Sequence, residues 1–207
     1  MNHLKHIKLV KRITATCFLI VAMCIPSSSC TSVSNQSSIE KFNCKDPRSQ
    51  IKLIPGTPRI VMAPTFCDDY VFDPKKVQTV ITMFVREYAA EFNIPEHVLW
   101  QHLSGLKIET SLIGRKVPLA YGSQGKLLKN VDVTGLALTK KHIWVEVLTK
   151  QINMSAFIHE LVHIIIWHEN YGVHGDPDHE GSKFSGWTSQ HTKFIKRMNI
   201  QLLEMGI

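Results

Sequence analysis

Residues 155–171 read SAFIHELVHIIIWHENY, a run that is long and apolar enough to form a helix. Asn153 or Ser155 can cap its start, and Gly172 is suited to end it. Because apolar residues surround this helix on nearly every side, we expect it to cross the core of a folded domain. Those residues are Ala156, Phe157, Ile158, Leu161, Val162, Ile164, Ile165, Ile166 and Trp167.

Two histidines and a glutamate stand inside this helix in the spacing HExxH. His159 and His163 are four residues apart, so both imidazoles lie on one helix face and can bind one Zn²⁺. Glu160 then lies beside the metal, where its carboxylate can take a proton from an activated water and give it to a leaving amine. Buried charges are paired or bind metals, which favours a metal site over structural histidines. The pattern predicts one zinc per chain and hydrolysis of peptide bonds, with Glu160 as general base.

A catalytic zinc has three protein ligands and one open position, so a third ligand is expected beyond His163. Residues 174–181 read HGDPDHEG, a turn rich in side chains that bind metals. His179 is the favoured third ligand because imidazole suits zinc and three histidines are a common catalytic set. Three alternatives remain in the same turn: Asp176, His174 and Glu180.

Other polar groups near this segment have roles that the sequence leaves open. His168 is rotated away from the face that His159 and His163 share, so a structural role is expected for it. Asp176 and Asp178 either hydrogen-bond the ligand imidazoles or cap the turn. An oxyanion donor is not assigned among its three candidates, which are Tyr121, Tyr171 and His174.

With these residues the chain resembles the zincin metallopeptidases, which carry HExxH on a central helix. The resemblance covers residues 106–180 and implies a zincin-like domain in which a strand before the active helix pairs with extended substrate. Residues 141–148 match that strand. The metzincin subgroup continues as HExxHxxGxxH, whereas Ile166 and Glu169 occupy the positions of its glycine and third histidine. The expectation is therefore a zincin outside the metzincin subgroup.

The remaining patterns predict an α+β domain with a small, mostly antiparallel sheet. An amphipathic N-terminal helix begins at Asp73 and Pro74, and residues 188–205 form a closing C-terminal helix. Alternating apolar residues predict three strands, the last two forming a hairpin, at residues 106–112, 131–138 and 141–148. Residues 114–130 contain several Gly and Pro and are interpreted as a long loop that borders the cleft.

The N-terminus has the order of an export signal. Its first 12 residues hold four basic residues and no acid, and an apolar run over residues 13–26 precedes three serines and Cys30. That run is too short to span a bilayer comfortably, so residues 1–29 are predicted to be a cleaved signal peptide, with an uncleaved anchor as the alternative. The serines and Cys30 resemble a bacterial lipoprotein site, although Ser27 replaces the usual Leu. We expect an exported protein of the periplasm or cell envelope, with two alternatives at the cut: a lipid on Cys30 that tethers it to the membrane, or an ordinary signal peptidase that cuts before Cys30 and adds no lipid.

Residues 30–50 are polar and predict a flexible tether, followed by one folded domain over residues 51–207. Cysteine usage agrees with an oxidising compartment. Two cysteines leave with the signal peptide, and if Cys30 is acylated, Cys44 and Cys67 remain and predict one disulfide.

The amino-acid composition limits which class of protein this chain can be and which partners it can have. The 207 residues are 44% hydrophobic and 20% charged, which is typical of one globular domain. Four of the 24 Lys and Arg residues lie in the predicted signal peptide and none of the 17 acids does, so the mature charge is only +3 and a nucleic-acid partner is excluded. We expect a monomer that acts on a peptide or protein. The competing hypotheses are a non-catalytic envelope lipoprotein that retains the fold, with or without the metal, and an enzyme that hydrolyses a non-protein amide.

Overall fold

The computed structural model describes residues 51–64, 73–111, 114–121, 126–148, 151–169, 175–181 and 186–207. The predicted signal peptide and tether lie outside these residues, as do the predicted lipid on Cys30 and the predicted disulfide between Cys44 and Cys67. Among the described helices, none combines the length and the apolar character that a membrane span requires.

The described elements form a compact α+β fold, as predicted, in which two strands, two helices, six strands and two helices follow one another along the chain. In chain order they are β1 (Lys52–Leu53), β2 (Val61–Pro64), α1 (Pro74–Phe92), α2 (Glu96–Leu103), β3 (Lys107–Ser111), β4 (Arg115–Tyr121), β5 (Leu127–Val133), β6 (Gly135–Thr139), β7 (His142–Leu148), β8 (Gln151–Ile152), α3 (Met154–His168) and α4 (Ser189–Glu204).

The main sheet has the strand order β1-β2-β3-β7-β6, with β8 paired to the end of β7. Its two central pairings, β2 with β3 and β3 with β7, are parallel, and Ile108 lies opposite Ile143 in the second of them. The outer pairings and the separate β4–β5 hairpin are antiparallel. Antiparallel pairing therefore predominates, as predicted, but the middle of the main sheet is parallel.

The two faces of the sheet are covered by different partners. Ile143, Val145 and Val147 alternate along β7 and join the main core, to which all four helices contribute. Trp144 points to the opposite face, where it packs with Leu136 and with residues of the β4–β5 hairpin. This alternation confirms the prediction of a strand in residues 141–148.

Three helix predictions are confirmed and one helix was missed. The side chain of Asp73 caps α1 by accepting a hydrogen bond from the Lys75 amide, and Pro74 occupies the first turn. α3 and α4 lie where the periodicity predicted them. The short helix α2 was not predicted, because its two buried residues, Leu99 and Leu103, form too narrow an apolar stripe.

The prediction of a long loop over residues 114–130 is wrong. This stretch contains β4 and the start of β5, which pair antiparallel from Arg115 opposite Val133 to Tyr121 opposite Leu127. Many side chains of this hairpin are exposed, so the apolar alternation that identifies a strand is weak. The predicted strand over residues 131–138 is also divided at Thr134, because β5 belongs to the hairpin and β6 to the main sheet.

The position of β7 corrects the expectation that residues 141–148 pair with extended substrate. β3 lies on one side of β7 and β6 lies on the other. The backbone groups of β7 therefore form hydrogen bonds within the sheet, and the edge strand on this side is β6, not β7.

Candidate metal centre

Helix α3 brings the first two histidines together inside the core. The Asn153 side chain caps the helix by accepting a hydrogen bond from the Ala156 amide at 3.1 Å. Eight apolar side chains of α3 are buried, and the helix packs against β6 and β7 of the sheet. The Nε2 atoms of His159 and His163 lie 3.1 Å apart, as the i, i+4 spacing predicted.

The third histidine comes from the turn that includes residues 175–181. His179 Nε2 lies 3.0 Å from His159 Nε2 and 3.1 Å from His163 Nε2. The backbone reaches this position through left-handed conformations, with φ of 59° at Asp176 and 38° at His179. The structure therefore brings together the three residues that the sequence assigned to the metal.

The three Nε2 atoms form a nearly equilateral triangle that can hold one metal ion. Zn–N bonds of about 2.0–2.1 Å at a tetrahedral centre hold their nitrogens roughly 3.3–3.4 Å apart, close to the distances found here. Each neutral imidazole has at most one N–H, whose direction is fixed in the ring plane, so three mutual hydrogen bonds cannot all form. A cation bound by all three Nε2 atoms would explain why these atoms lie so close together.

The tautomer of His163 is fixed by a backbone carbonyl. Its Nδ1 lies 2.6 Å from the oxygen of Gly175, and because a carbonyl can only accept, Nδ1 carries the proton and donates. In the neutral ring Nε2 then presents its lone pair to the centre of the triangle. Ligand histidines in metal sites are commonly oriented by such a bond on the far ring nitrogen.

All three histidines are held in the neutral form that binds metal. Burial, followed by repulsion from His163 and His179, lowers the pKa of His159 well below its usual value. Burial lowers the pKa of His163 to about 4, despite the bond to Gly175 that favours the protonated ring. Burial and repulsion from His163 lower the pKa of His179 in the same direction. Metal binding at neutral pH therefore requires little release of protons.

Glu160 is fully buried on α3, next to His159 in the chain. Its carboxylate lies against Gly135 at the start of β6, where a Cβ atom would stand 2.5 Å from Glu160 Oε1. The strand therefore has no side chain at the point where the carboxylate approaches it. Sequence reasoning identified Glu160 but missed Gly135, because the contact joins two segments that are distant in the chain.

The other candidates from the turn have structural contacts. Asp176 is buried and accepts a hydrogen bond from the Trp187 amide, and Thr192 Oγ1 donates to Glu180 Oε1. Burial and the neighbouring Asp178 raise the pKa of Asp176 to about 7. Among the described residues, the metal-capable cluster consists of the three histidines alone. His174 and Tyr171 lie outside the described residues.

His168 has the structural role that was predicted. Its Nε2 lies 3.0 Å from the carbonyl oxygen of Lys140, and its ring stacks on that of His102 at 4.9 Å. Glu169, which stands where a metzincin has its third histidine, pairs instead with His102. Of the oxyanion candidates, Tyr121 lies at the end of β4, in the hairpin on the opposite face of the sheet from the helices.

A fourth histidine, His191, lies near the centre but belongs to the start of α4. Its Nδ1 accepts a hydrogen bond from the Thr188 amide at 3.0 Å, so its Nε2 carries the proton and donates to Tyr88 Oη at 3.1 Å. Burial lowers its pKa to about 4. Both ring nitrogens are engaged, which explains why His191 is not part of the cluster.

Comparisons with known proteins return no match. No protein family, curated protein or solved structure is significantly similar to this chain.

Proposed function

We propose that this protein is a zinc-dependent metallopeptidase in which His159, His163 and His179 hold the metal and Glu160 is the general base. The observation that carries the proposal is the triangle of three Nε2 atoms, 3.0–3.1 Å apart, together with a buried glutamate that follows His159 on helix α3. Imidazole ligands of this number suit zinc, and such a set leaves one coordination position open.

Each residue has a separate task in this mechanism. The histidines bind the metal in their neutral form, and the carbonyl of Gly175 keeps His163 oriented with Nε2 toward the centre. When bound, zinc acidifies water and polarises a carbonyl group. Glu160 accepts the proton of the attacking water and returns it to the leaving amine. Glu160 is fully buried, and its carboxylate lies against Gly135 at the start of β6, which restricts where the base can stand.

Export to the cell envelope is part of the proposal. The basic and apolar leader, the serines before Cys30 and the polar segment over residues 30–50 support a domain that is tethered outside the cytoplasm. The substrates in that setting are peptides or proteins.

Metal content is the first test. Mass spectrometry on the purified protein is expected to find about one zinc per chain, and less in the alanine variants of His159, His163 and His179. His168→Ala is the matched control, since it removes a histidine of the same helix that lies outside the cluster. A well-folded parent that contains no zinc after incubation with the metal contradicts the proposal.

Hydrolysis is the second test. The zinc-loaded protein is incubated with a complex mixture of unfolded proteins, and new termini are identified by mass spectrometry. We expect cleavage by the parent and none by Glu160→Gln or after removal of the metal. Zinc binding without cleavage would instead favour the non-catalytic envelope protein that the sequence left as the competing hypothesis.

A further inference from the structure

The indole of Trp187 covers one side of the three-histidine triangle. Its ring centroid lies 4.8 Å from that of His159 and 4.6 Å from those of His163 and His179. Nearly equal distances to three rings place the indole on the axis of the triangle. The three histidine centroids are only 4.9–5.0 Å from one another, so the indole stands off their plane rather than within it. One face of the triangle is thus occupied by an aromatic ring.

Hydrogen bonds fix the backbone of Trp187 to the turn that carries the third histidine, and fix its indole to helix α4. The backbone amide of Trp187 donates to Asp176 Oδ2, and its carbonyl accepts from the Glu180 amide at 3.3 Å. The indole Nε1 donates to Thr192 Oγ1 on α4 at 3.1 Å. Trp187 is also only 4% exposed, so solvent does not compete for these bonds. The residue therefore links α4, the turn and the histidine cluster.

We propose that Trp187 is a positioning residue that closes one face of the metal centre and holds His179 in place before the metal binds. This inference rests on the metal centre of the proposed function. A ring at this distance from all three imidazoles leaves no room for a water between it and the triangle. A metal ion held by the three histidines would therefore be open to water or substrate only from the opposite side of the triangle.

The same packing explains how the site is preassembled. Without metal, at least one of the three contacts at about 3 Å joins two lone pairs or two N–H groups, which repel each other, and the turn carrying His179 would move away unless other contacts held it. Trp187 supplies those contacts through its backbone and its ring. A side chain that lacks the ring is expected to lose both the closed face and part of the order of the turn.

The test uses Co²⁺ as the probe, because it replaces zinc and reports on both features. The parent, Trp187→Phe and Trp187→Ala are compared, and Trp100→Phe on α2 serves as the control for the loss of a different tryptophan. Tryptophan emission and the visible absorption of bound Co²⁺ are measured, together with Zn²⁺ affinity by competition with a chelator. The Phe variant keeps an aromatic ring, so the emission measurement stands even if the Ala variant does not fold.

Bound Co²⁺ is expected to quench emission in the parent and in Trp100→Phe, and the quenched share should fall clearly in Trp187→Phe. In Trp187→Ala a second water can enter, so the Co²⁺ absorption should weaken as the coordination number rises. Zinc affinity should fall by about 10-fold or more in Trp187→Ala, in the range seen when groups that support ligands are removed. The Phe variant should remain near the parent in both properties.

Two failures are distinguishable. A parent that binds neither metal overturns the proposed function, and this inference with it. If the parent binds one metal per chain, two results would overturn the role of Trp187 alone. One is quenching in Trp187→Phe that equals that of the parent. The other is a folded Trp187→Ala protein whose Co²⁺ absorption and Zn²⁺ affinity match those of the parent.

Discussion

His163 Nδ1 donates a hydrogen bond to the carbonyl oxygen of Gly175 at 2.6 Å, and the backbone of the same glycine lies against the backbone of the same histidine. A Cβ atom at Gly175 would stand 2.4 Å from the carbonyl oxygen of His163. The two residues are therefore in contact through both the ligand ring and the main chain. This contact sets how closely the turn with His179 can approach helix α3.

Gly175→Ala is expected to destabilise the protein and to weaken zinc binding. The added methyl group overlaps the His163 carbonyl, and φ of +74° is unfavourable for alanine. The left-handed conformation alone costs roughly 1 kcal/mol, and the overlap adds a further cost that we expect to bring the total above about 2 kcal/mol. Urea denaturation of the metal-free protein measures this loss.

Gly206→Ala is the matched control for that prediction. Gly206 has a similar φ of +71°, but an added Cβ atom meets nothing within 4 Å. The Gly206→Ala variant should lose only the free energy that the left-handed conformation costs an alanine, and it should bind zinc like the parent. Equal losses in the two variants would show that the contact with His163 contributes nothing.

Gly135→Ala is expected to impair hydrolysis while zinc is retained. The new methyl group would lie 2.5 Å from Glu160 Oε1 and 3.0 Å from Glu160 Cγ, so the buried carboxylate must move. Because a positioned general base contributes about 10²–10⁴-fold, we expect kcat to fall by at least about 10-fold. Zinc content and cleavage of an identified peptide are the two measurements.

Gly114→Ala provides the comparison for Gly135. Its added Cβ atom would also approach a carboxylate oxygen, that of Glu146, but at 3.0 Å and away from the histidines. Turnover should remain near that of the parent. If Gly135→Ala cleaves as fast as Gly114→Ala, the position of the Glu160 carboxylate does not limit the reaction.

Glu160→Gln is expected to bind zinc like the parent and to lose turnover by about 10²-fold or more, because the amide cannot accept a proton from water. The substitution keeps the size of the buried side chain, which limits any loss of stability. Zinc content and kcat, measured on the same preparation of Glu160→Gln, test this prediction. Parent-like cleavage by a fully loaded Glu160→Gln protein would remove Glu160 from the mechanism.

The metal-free protein is expected to lose stability as the pH falls from about 6.5 to 4. In the folded state the pKa values of His163 and His191 are about 4, whereas the unfolded chain has values near 6.5, so the unfolded chain binds more protons in this window. His159 and His179 shift in the same direction. The pKa of His168 is lowered as well. Asp176, with a pKa raised to about 7, and Glu146, whose pKa is also raised, oppose the histidines because protonation of these carboxylates favours the folded state, but they are two groups against five.

Urea denaturation at pH 7 and pH 5 in the presence of a chelator measures this dependence. His191→Gln should reduce the difference in stability between the two pH values, because it removes one of the five histidines with a lowered pKa and keeps the three histidines of the cluster. A metal-free protein that is equally stable at both pH values would contradict the neutral, buried state of these histidines.

The sequence predicted the elements whose signal is local. Helix α3 has an apolar surface, an asparagine cap and an i, i+4 histidine pair, all within about 15 neighbouring residues. Helices α1 and α4 were likewise predictable from their apolar stripes and their N-terminal capping residues. The β4–β5 hairpin was not, because its strands expose much of their surface and their pairing depends on contacts between residues up to 18 positions apart, such as Arg115 and Val133.

By itself, the sequence identified the residues of the candidate metal centre: two imidazoles on one helix face, a carboxylate next to them in the chain and a third histidine in the turn that follows. Only the tertiary structure decided which of the turn residues reaches the triangle, and it did so by placing Gly175 against His163 and Trp187 over the three rings. It also decided that Glu160 lies against Gly135. Helical spacing is fixed by the geometry of one element, whereas these contacts arise only when the apolar faces of α3, β6 and α4 are buried together.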